Sequence, residues 1–322
     1  MKSWKINSKQ SMSECVNDDI TVPKECAKVK IARAGIDASD IATYLGQTSI
    51  YPLSPCRIAV GLISESSDIT LKKGQRVMLS PYARTSSDCF KTHGVELDGY
   101  LSDFANVNLN DIYTLPDGIS DESITFIDDI ALTIKMHEKL NIEKTQYVLI
   151  NGCSVKNLIF AQLCIYYQAI PIVVDNDPTR LELASELGIY YQIDTNEEDI
   201  TSKLKEITSG SMADYLILDT DISTNVDNIL YNLGKDGRVG MYGFATTLNG
   251  LQGDLSPVIT HNLTIYGLNN GQGEIETAIN MLATEIVKVD SLIDKVVDIS
   301  EVPSVFEELS KAPMYLKTIV KC

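Results

Sequence analysis

The stretch Tyr147-Val-Leu-Ile-Asn-Gly152-Cys153-Ser154-Val155-Lys156-Asn157 runs from an apolar segment through small residues into a helical one. Twenty-three positions beyond Gly152, a second apolar run, Ile170-Pro-Ile-Val-Val-Asp175, ends in a carboxylate. Strand, tight turn, helix, strand and terminal acid make the layout of a dinucleotide-binding βαβ unit. The first glycine of such a turn permits the bend, the second lets the backbone approach a pyrophosphate, and the third lets helix and strand pack closely. Gly152 is kept, while Ser154 and Asn157 stand where the other two glycines are expected. The helix N-terminus would offer amides and a positive dipole end to phosphate. Asp175 would accept hydrogen bonds from the adenine ribose and repel a 2′-phosphate, which favours NAD over NADP. Gly152, Cys153, Ser154 and Val155, with Asp175, Asn176 and Arg180 after the second strand, are the candidate cofactor contacts. An ordinary βαβ crossover with no ligand is the alternative.

Three residues of this unit have two readings each. Cys153 is a small filler, or a thiol whose pKa the helix N-terminus lowers. Lys156 reaches a phosphate, or is a solvated lysine. Asn157 carries a side chain where a glycine would pack, which pushes the helix from the strand unless the segment has shifted.

Placing these residues requires a parallel sheet. Strands are expected at 147–151, 170–175, 190–193, 214–218, 238–243 and 263–267, with helices at 155–168, 178–187 and 200–207. Six strands joined by five crossovers describe a doubly wound α/β fold. The first third is β-rich, with runs at Val29–Arg33, Ile58–Ser64, Gln75–Ser80 and Phe104–Val107 between turn signals such as Lys73-Gly74 and Asp98-Gly99. Helices are expected from Ser123 to Leu140, Glu274 to Val289 and Pro303 to Lys311, and a last strand at Leu316–Val320.

The chain has 322 residues, 44% of them apolar, and a net charge of −17. That length suggests two domains. The acidic balance argues against nucleic acid or an anionic membrane as main partner, because both are held by clustered Lys and Arg. No apolar run reaches the roughly 20 residues needed to cross a bilayer, and the N-terminal residues lack the apolar core of a signal peptide. The seven cysteines (15, 26, 56, 89, 153, 164 and 322) are scattered and odd in number. They read as reduced thiols in a cytoplasmic protein.

Several ordered motifs resemble the medium-chain dehydrogenase/reductase family, in its zinc alcohol and polyol dehydrogenase group. Ala34-Gly-Ile-Asp37-Ala-Ser39-Asp40 is similar to the family's A-G-I-C-G-T-D, and Cys56-Arg57-Ile-Ala-Val-Gly61 to its G-H-E-x-x-G. Gly74-Gln-Arg-Val77, Asp98-Gly-Tyr-Leu-Ser-Asp-Phe104, Leu115-Pro-Asp-Gly-Ile-Ser-Asp-Glu122 and Val174 to Gly188 match further stretches, so the resemblance covers nearly the whole length. It implies a GroES-like β-barrel for residues 1–119 and 290–322, holding a small-molecule substrate, and a Rossmann domain for 120–289, with substrate lying between them. It also implies homodimers joined through the last Rossmann strand, Leu263–Gly267.

The family's catalytic zinc takes a Cys, a His and an acidic or thiolate ligand. The matching positions here are Asp37, Arg57 and Asp128. A guanidinium has no lone pair for a metal, and two carboxylates are a poor tetrahedral zinc site. Zinc is therefore expected to be absent. The structural zinc lobe is also shortened, keeping Cys89 and His93 between Ser80 and Gly94. Arg57 between Asp37 and Asp128 reads either as a structural ion cluster or as a group that polarises a substrate carbonyl in place of zinc. Ser39 matches the family's proton-relay hydroxyl, or else caps the short helix at Ala38. The leading expectation is a zinc-independent, NAD-linked oxidoreductase acting on a small alcohol or carbonyl. The alternative is a non-catalytic binding or scaffold protein with a degenerate cofactor turn.

Overall fold

Along Cys26 to Ile31, alternate residues are buried, as expected of a strand with one face on a core. The computed structural model describes residues 2–16, 21–47, 50–86, 89–222, 228–243, 253–313 and 315–322. Its chain divides into two compact units, 1–128 with 292–322, and 129–291.

In chain order the first unit holds β1 (Lys2–Ser8), β2 (Ser11–Val16), β3 (Cys26–Ile36), α1 (Ala38–Tyr44), β4 (Ala59–Ser66), β5 (Arg76–Leu79), β6 (Tyr82–Ser86), β7 (Cys89–Thr92), β8 (Phe104–Asn108), β9 (Ile112–Thr114), α2 (Asp121–Ile124) and the start of α3 (Ile127–Leu140). The second unit holds β10 (Tyr147–Asn151), α4 (Val155–Tyr166), β11 (Ile170–Asp175), α5 (Pro178–Glu186), β12 (Tyr191–Asp194), α6 (Ile200–Ile207), β13 (Ala213–Asp219), β14 (Leu233–Tyr242), α7 (Ser256–Thr260), β15 (Thr264–Leu268) and α8 (Ile275–Ala283). The tail returns to the first unit with β16 (Ile293–Asp298), α9 (Val302–Leu309) and β17 (Lys317–Lys321).

The main sheet of the first unit has seven strands and runs β16-β17-β3-β4-β5-β9, with β8 also on β3. Its core draws Ile6, Val29, Ile36, Leu79, Phe306 and Val320 together, so the C-terminal tail is part of this core. β17 runs antiparallel to β3 with Thr318 opposite Ile36, which brings Lys317 level with the residue that follows β3, Asp37.

The second unit is the expected doubly wound sheet, in the order β12-β11-β10-β13-β14-β15, all parallel. The strands are near-continuous apolar runs because helices cover both faces. The order reverses between β10 and β13, the position where such sheets bind ligands at the carboxyl ends of their strands.

Some elements differ from expectation. The hairpins β1–β2 and β6–β7 and the strands β9 and β16 add to the expected set. The single helix expected over 123–140 is broken at Thr125 and Phe126, where the Thr125 carbonyl accepts from Lys317 Nζ at 2.9 Å instead of a helical amide. The helix expected over 274–289 stops at Ala283, because the Thr284 hydroxyl donates back to the Asn280 carbonyl and Glu285 takes a left-handed φ of 57°. Between β13 and β14 the described crossover is a 3₁₀ turn, Ile229–Asn232, rather than a full helix, and residues 223–227 lie outside the described chain. No helix among the described residues is long and apolar enough to cross a membrane.

Gly99 has no room for a side chain: a Cβ there would lie 2.3 Å from the Pro55 carbonyl oxygen and 2.5 Å from that of Cys56. Gly99→Ala must shift the backbone that carries Arg57, and is expected to cost roughly 1–3 kcal/mol or more. Urea denaturation of the variant measures this, and an unchanged midpoint would contradict the tight packing.

Candidate functional site

The first-unit site grows from three chain ends that meet. Asp37 is the N-cap of α1, directly after β3. Arg57 follows Cys56, whose left-handed φ of 70° turns the chain before β4. Asp128 lies in the first turn of α3, where the helix dipole favours a negative charge. Arg57 sits between the two carboxylates, with Nε 3.6 Å from Asp37 Oδ2 and Nη2 bonded to Asp128 Oδ2. Lys317, 2% exposed, places Nζ 2.9 Å from Asp37 Oδ1 and 5.0 Å from the centre of the Phe126 ring. The Tyr82 hydroxyl donates to Asp128 Oδ1. Two buried carboxylates are thus matched by two buried cations and one phenol.

A third carboxylate supports this arrangement from behind. Asp40 is fully buried and accepts the backbone N–H of Asp37 at 2.8 Å and of Cys56 at 2.9 Å. Burial, and then the adjacent Asp37 charge, push its pKa up to about 7. Ser39 is also buried, and its hydroxyl has no hydrogen-bond partner. The helix cap expected of Ser39 is taken by Asp37, because the helix begins at Ala38, two residues earlier than a Ser39 cap needs.

A zinc ion needs thiolate, imidazole or carboxylate lone pairs in a tetrahedron. Here a guanidinium and an ammonium, neither with a lone pair to give, stand on the two available carboxylates. The donor set does not fit the metal. Lys317 and Tyr82 were not singled out in the sequence. The available signal was a lysine within Leu316-Lys-Thr-Ile-Val320, an apolar run whose residues 317–320 are all buried. In the shortened lobe, His93 hydrogen-bonds the Asp98 carbonyl at 2.7 Å and packs its ring on Tyr100, with its pKa lowered by burial. The side chain of Cys89 lies outside the described residues.

In the second unit Gly152 has φ +90°, the left-handed bend that the turn demands. Asn157 does not push α4 away. Its amide donates to the carbonyls of Asn151 and Gly152, both at 2.8 Å, and its oxygen accepts from the Tyr242 hydroxyl at 2.6 Å. A polar staple thus replaces glycine contact, and Tyr242 is the partner that sequence reasoning missed. Val155 is the first residue of α4, whose N-cap Ser154 accepts the Asn157 N–H and donates its hydroxyl to Asp219 Oδ2 at 2.7 Å.

Asp175 ends β11 as expected. Its Oδ2 accepts the Cys153 N–H at 2.7 Å, and its Oδ1 accepts those of Asn176 and Asp177. Arg180 lies 3.4 Å from Asp175 and 3.3 Å from Asp177. Cys153 is buried, and burial with the Asp175 charge raises its pKa rather than lowering it, which removes the activated-thiol reading. Lys156 is not solvated: Nζ lies 2.6 Å from Asp221 and 3.4 Å from Asp219. Burial opposes its charge, but these carboxylates outweigh burial and raise its pKa.

A cavity of about 330 Å³, mostly apolar, lies at the carboxyl ends of β13, β14 and β15 and is lined by Thr220, Met241, Tyr242, Gly243, Ile265 and Leu268, among others. Cavities at that end of an open parallel sheet are where ligands bind.

Comparison with known proteins agrees with both halves. The description "alcohol dehydrogenase GroES-like domain" matches residues 23–117, and "zinc-binding dehydrogenase" matches residues 158–284. An uncharacterized zinc-type alcohol dehydrogenase-like protein of Haemophilus influenzae is 29% identical over 308 residues, spanning 90% of this chain and 89% of that protein. A sorbitol dehydrogenase of Halalkalibacterium halodurans is 24% identical, spanning 87% of each chain. Among solved structures, a short chain alcohol dehydrogenase from Escherichia coli CFT073 complexed with NADH superposes with a TM-score of 0.87 at 20% identity, covering 100% of this chain and 99% of that one. The 2R,3R-butanediol dehydrogenase of Bacillus subtilis gives 0.88 at 17% identity, again covering 100% and 99%.

Two outcomes follow from the buried charges. Arg57→Met or Lys317→Met leaves a buried carboxylate without a cation, at an expected cost of about 3–5 kcal/mol in urea unfolding. A loss below about 1 kcal/mol would mean that solvent reaches the cluster. Asp40 binds its proton more tightly folded than unfolded, so its contribution to stability is greatest below pH 4 and declines as pH rises towards 7. Asp40→Asn should flatten that decline in melting temperature against pH, and an unchanged slope would assign it to another group.

Proposed function

The chain belongs to the medium-chain dehydrogenase/reductase family, in its zinc-type alcohol dehydrogenase-like branch, and from that membership we propose that it is a nicotinamide-dependent oxidoreductase that interconverts a small alcohol and its carbonyl without a catalytic zinc. The observation that carries the zinc-free part is the cluster of Asp37, Arg57, Asp128 and Lys317, in which cations of the chain itself stand on the carboxylates. The polyol and alcohol dehydrogenases it resembles support the substrate class, and the NADH-bound relative supports the cofactor. Asp175 at the end of β11 favours NAD over NADP.

Bound nicotinamide supplies the hydride chemistry. Arg57 is the group that stabilises charge developing on the substrate oxygen, through guanidinium N–H donors aimed from a site with little water. Asp37 and Asp128 orient it, and Lys317 shares the Asp37 carboxylate with it. Ser39, buried with an unpaired hydroxyl, is assigned the proton exchange with the alcohol oxygen. The edge strand β15, with Ile265 exposed, is the surface assigned to dimer pairing. The odd number and scatter of the cysteines support a reducing, cytoplasmic location.

Thermal shift with NAD, NADH, NADP and NADPH tests the cofactor assignment. NAD or NADH at a hundred times Kd should stabilise the native state by about 2.7 kcal/mol, and Asp175→Ala should reduce the shift. No shift with any nucleotide at millimolar concentration removes the redox reading. Elemental analysis should find zinc well below one per chain, and a chelator should leave the melting temperature unchanged; stoichiometric zinc whose removal lowers stability would refute the zinc-free centre.

A further inference from the structure

Several side chains at the start of α4 are engaged within the chain. Ser154 gives its hydroxyl to Asp219, and the Cys153 N–H goes to Asp175. Lys156, in the first turn of α4, is held by Asp221 at 2.6 Å and by Asp219 at 3.4 Å, with Asp221 only 6% exposed. The Asp221 backbone N–H donates to Asp219, which keeps the two carboxylates together. Above them, Ile222 Cδ1 lies 2.7 Å from the point where a Cβ on Gly152 would be, so its side-chain tip covers the one glycine retained in the turn. A helix N-terminus attracts anions, and here two carboxylates of the chain lie beside it, tied to its first residues through the Lys156 ammonium and, for Asp219, the Ser154 hydroxyl.

We propose that Ile222 and Asp221 set how tightly this chain holds a dinucleotide, because they stand where the pyrophosphate must approach, and that Lys156 exchanges Asp221 for the phosphate when the cofactor enters. The proposal rests on the nicotinamide reading above. A pyrophosphate carries negative charge into a pocket that already holds Asp219 and Asp221, so the incoming anion gains only if Lys156 turns to it. Ile222 must swing off Gly152 in the same movement. The open arrangement is then a fraction of the population, and the apparent Kd rises by the inverse of that fraction.

The test is titration with NADH, followed by fluorescence, for the wild-type chain, Ile222→Ala, Asp221→Asn, their combination and Asp175→Ala, with the melting temperature of each confirming a folded state. Asn at position 221 can still accept from Lys156 but carries no charge. Each single change is expected to tighten NADH about five- to tenfold. The gain from Asp221→Asn should shrink at high salt, since charge repulsion is screened, while that from Ile222→Ala should not. If the wild type binds and Asp175→Ala weakens it, but both single variants stay within twofold of wild type or bind less tightly, closure by these residues is wrong and the nicotinamide reading stands. If no variant and no wild-type chain binds NADH, both fail. A silent wild type with a binding Ile222→Ala or double variant supports both.

Discussion

The buried charge cluster of the first unit is the constraint around which that unit is arranged. A carboxylate removed from water costs several kcal/mol unless a cation and hydrogen bonds compensate it. Asp37 and Asp128 are both buried, so Arg57, Lys317 and Tyr82 must be held in position by the backbone that carries them. That demand explains the left-handed Cys56, the close approach of Gly99 to the Pro55 and Cys56 carbonyls, and the break between α2 and α3 where Lys317 reaches the Thr125 carbonyl. It also explains why the C-terminal tail joins the sheet of the first unit: β17 delivers the second cation.

A divalent metal and two monovalent cations solve the same electrostatic problem with different chemistry. A metal offers an open coordination position and polarises whatever binds there. A guanidinium offers directional N–H donors of fixed geometry. In the function proposed, the Arg57 centre would serve an oxygen that develops charge gradually and accepts hydrogen bonds. The unpaired Ser39 hydroxyl, two residues after Asp37, is a buried polar group of the kind that structural cores avoid leaving unsatisfied.

The second unit shows a parallel replacement. Two glycines of the dinucleotide turn are gone, and the losses are compensated differently. Asn157 keeps helix and strand together through three hydrogen bonds, one of them from Tyr242. Ser154 caps the helix but ties it to Asp219. The first change preserves the geometry of the turn, and the second brings negative charge to it.

The parallel sheet was legible in the sequence because its strands are long apolar runs separated by helical periodicity, and periodicity is a local property. The carboxylate at the end of β11 and the left-handed Gly152 were legible for the same reason: each is set by residues within one βαβ unit. The pairing of Arg57 with Asp37 and Asp128 could be anticipated because all three fall in recognisable motifs. Lys317 could not be placed, since its meaning depends on β17 lying beside β3, a contact between residues some 280 positions apart in the chain. Tyr82, Tyr242, Asp221 and Ile222 belong to the same class. The sequence alone determined the parallel sheet, its main helices and the acid that ends β11; the tertiary structure decided which charges meet, because buried carboxylates take whatever cation the fold brings within reach, and no local pattern records that choice.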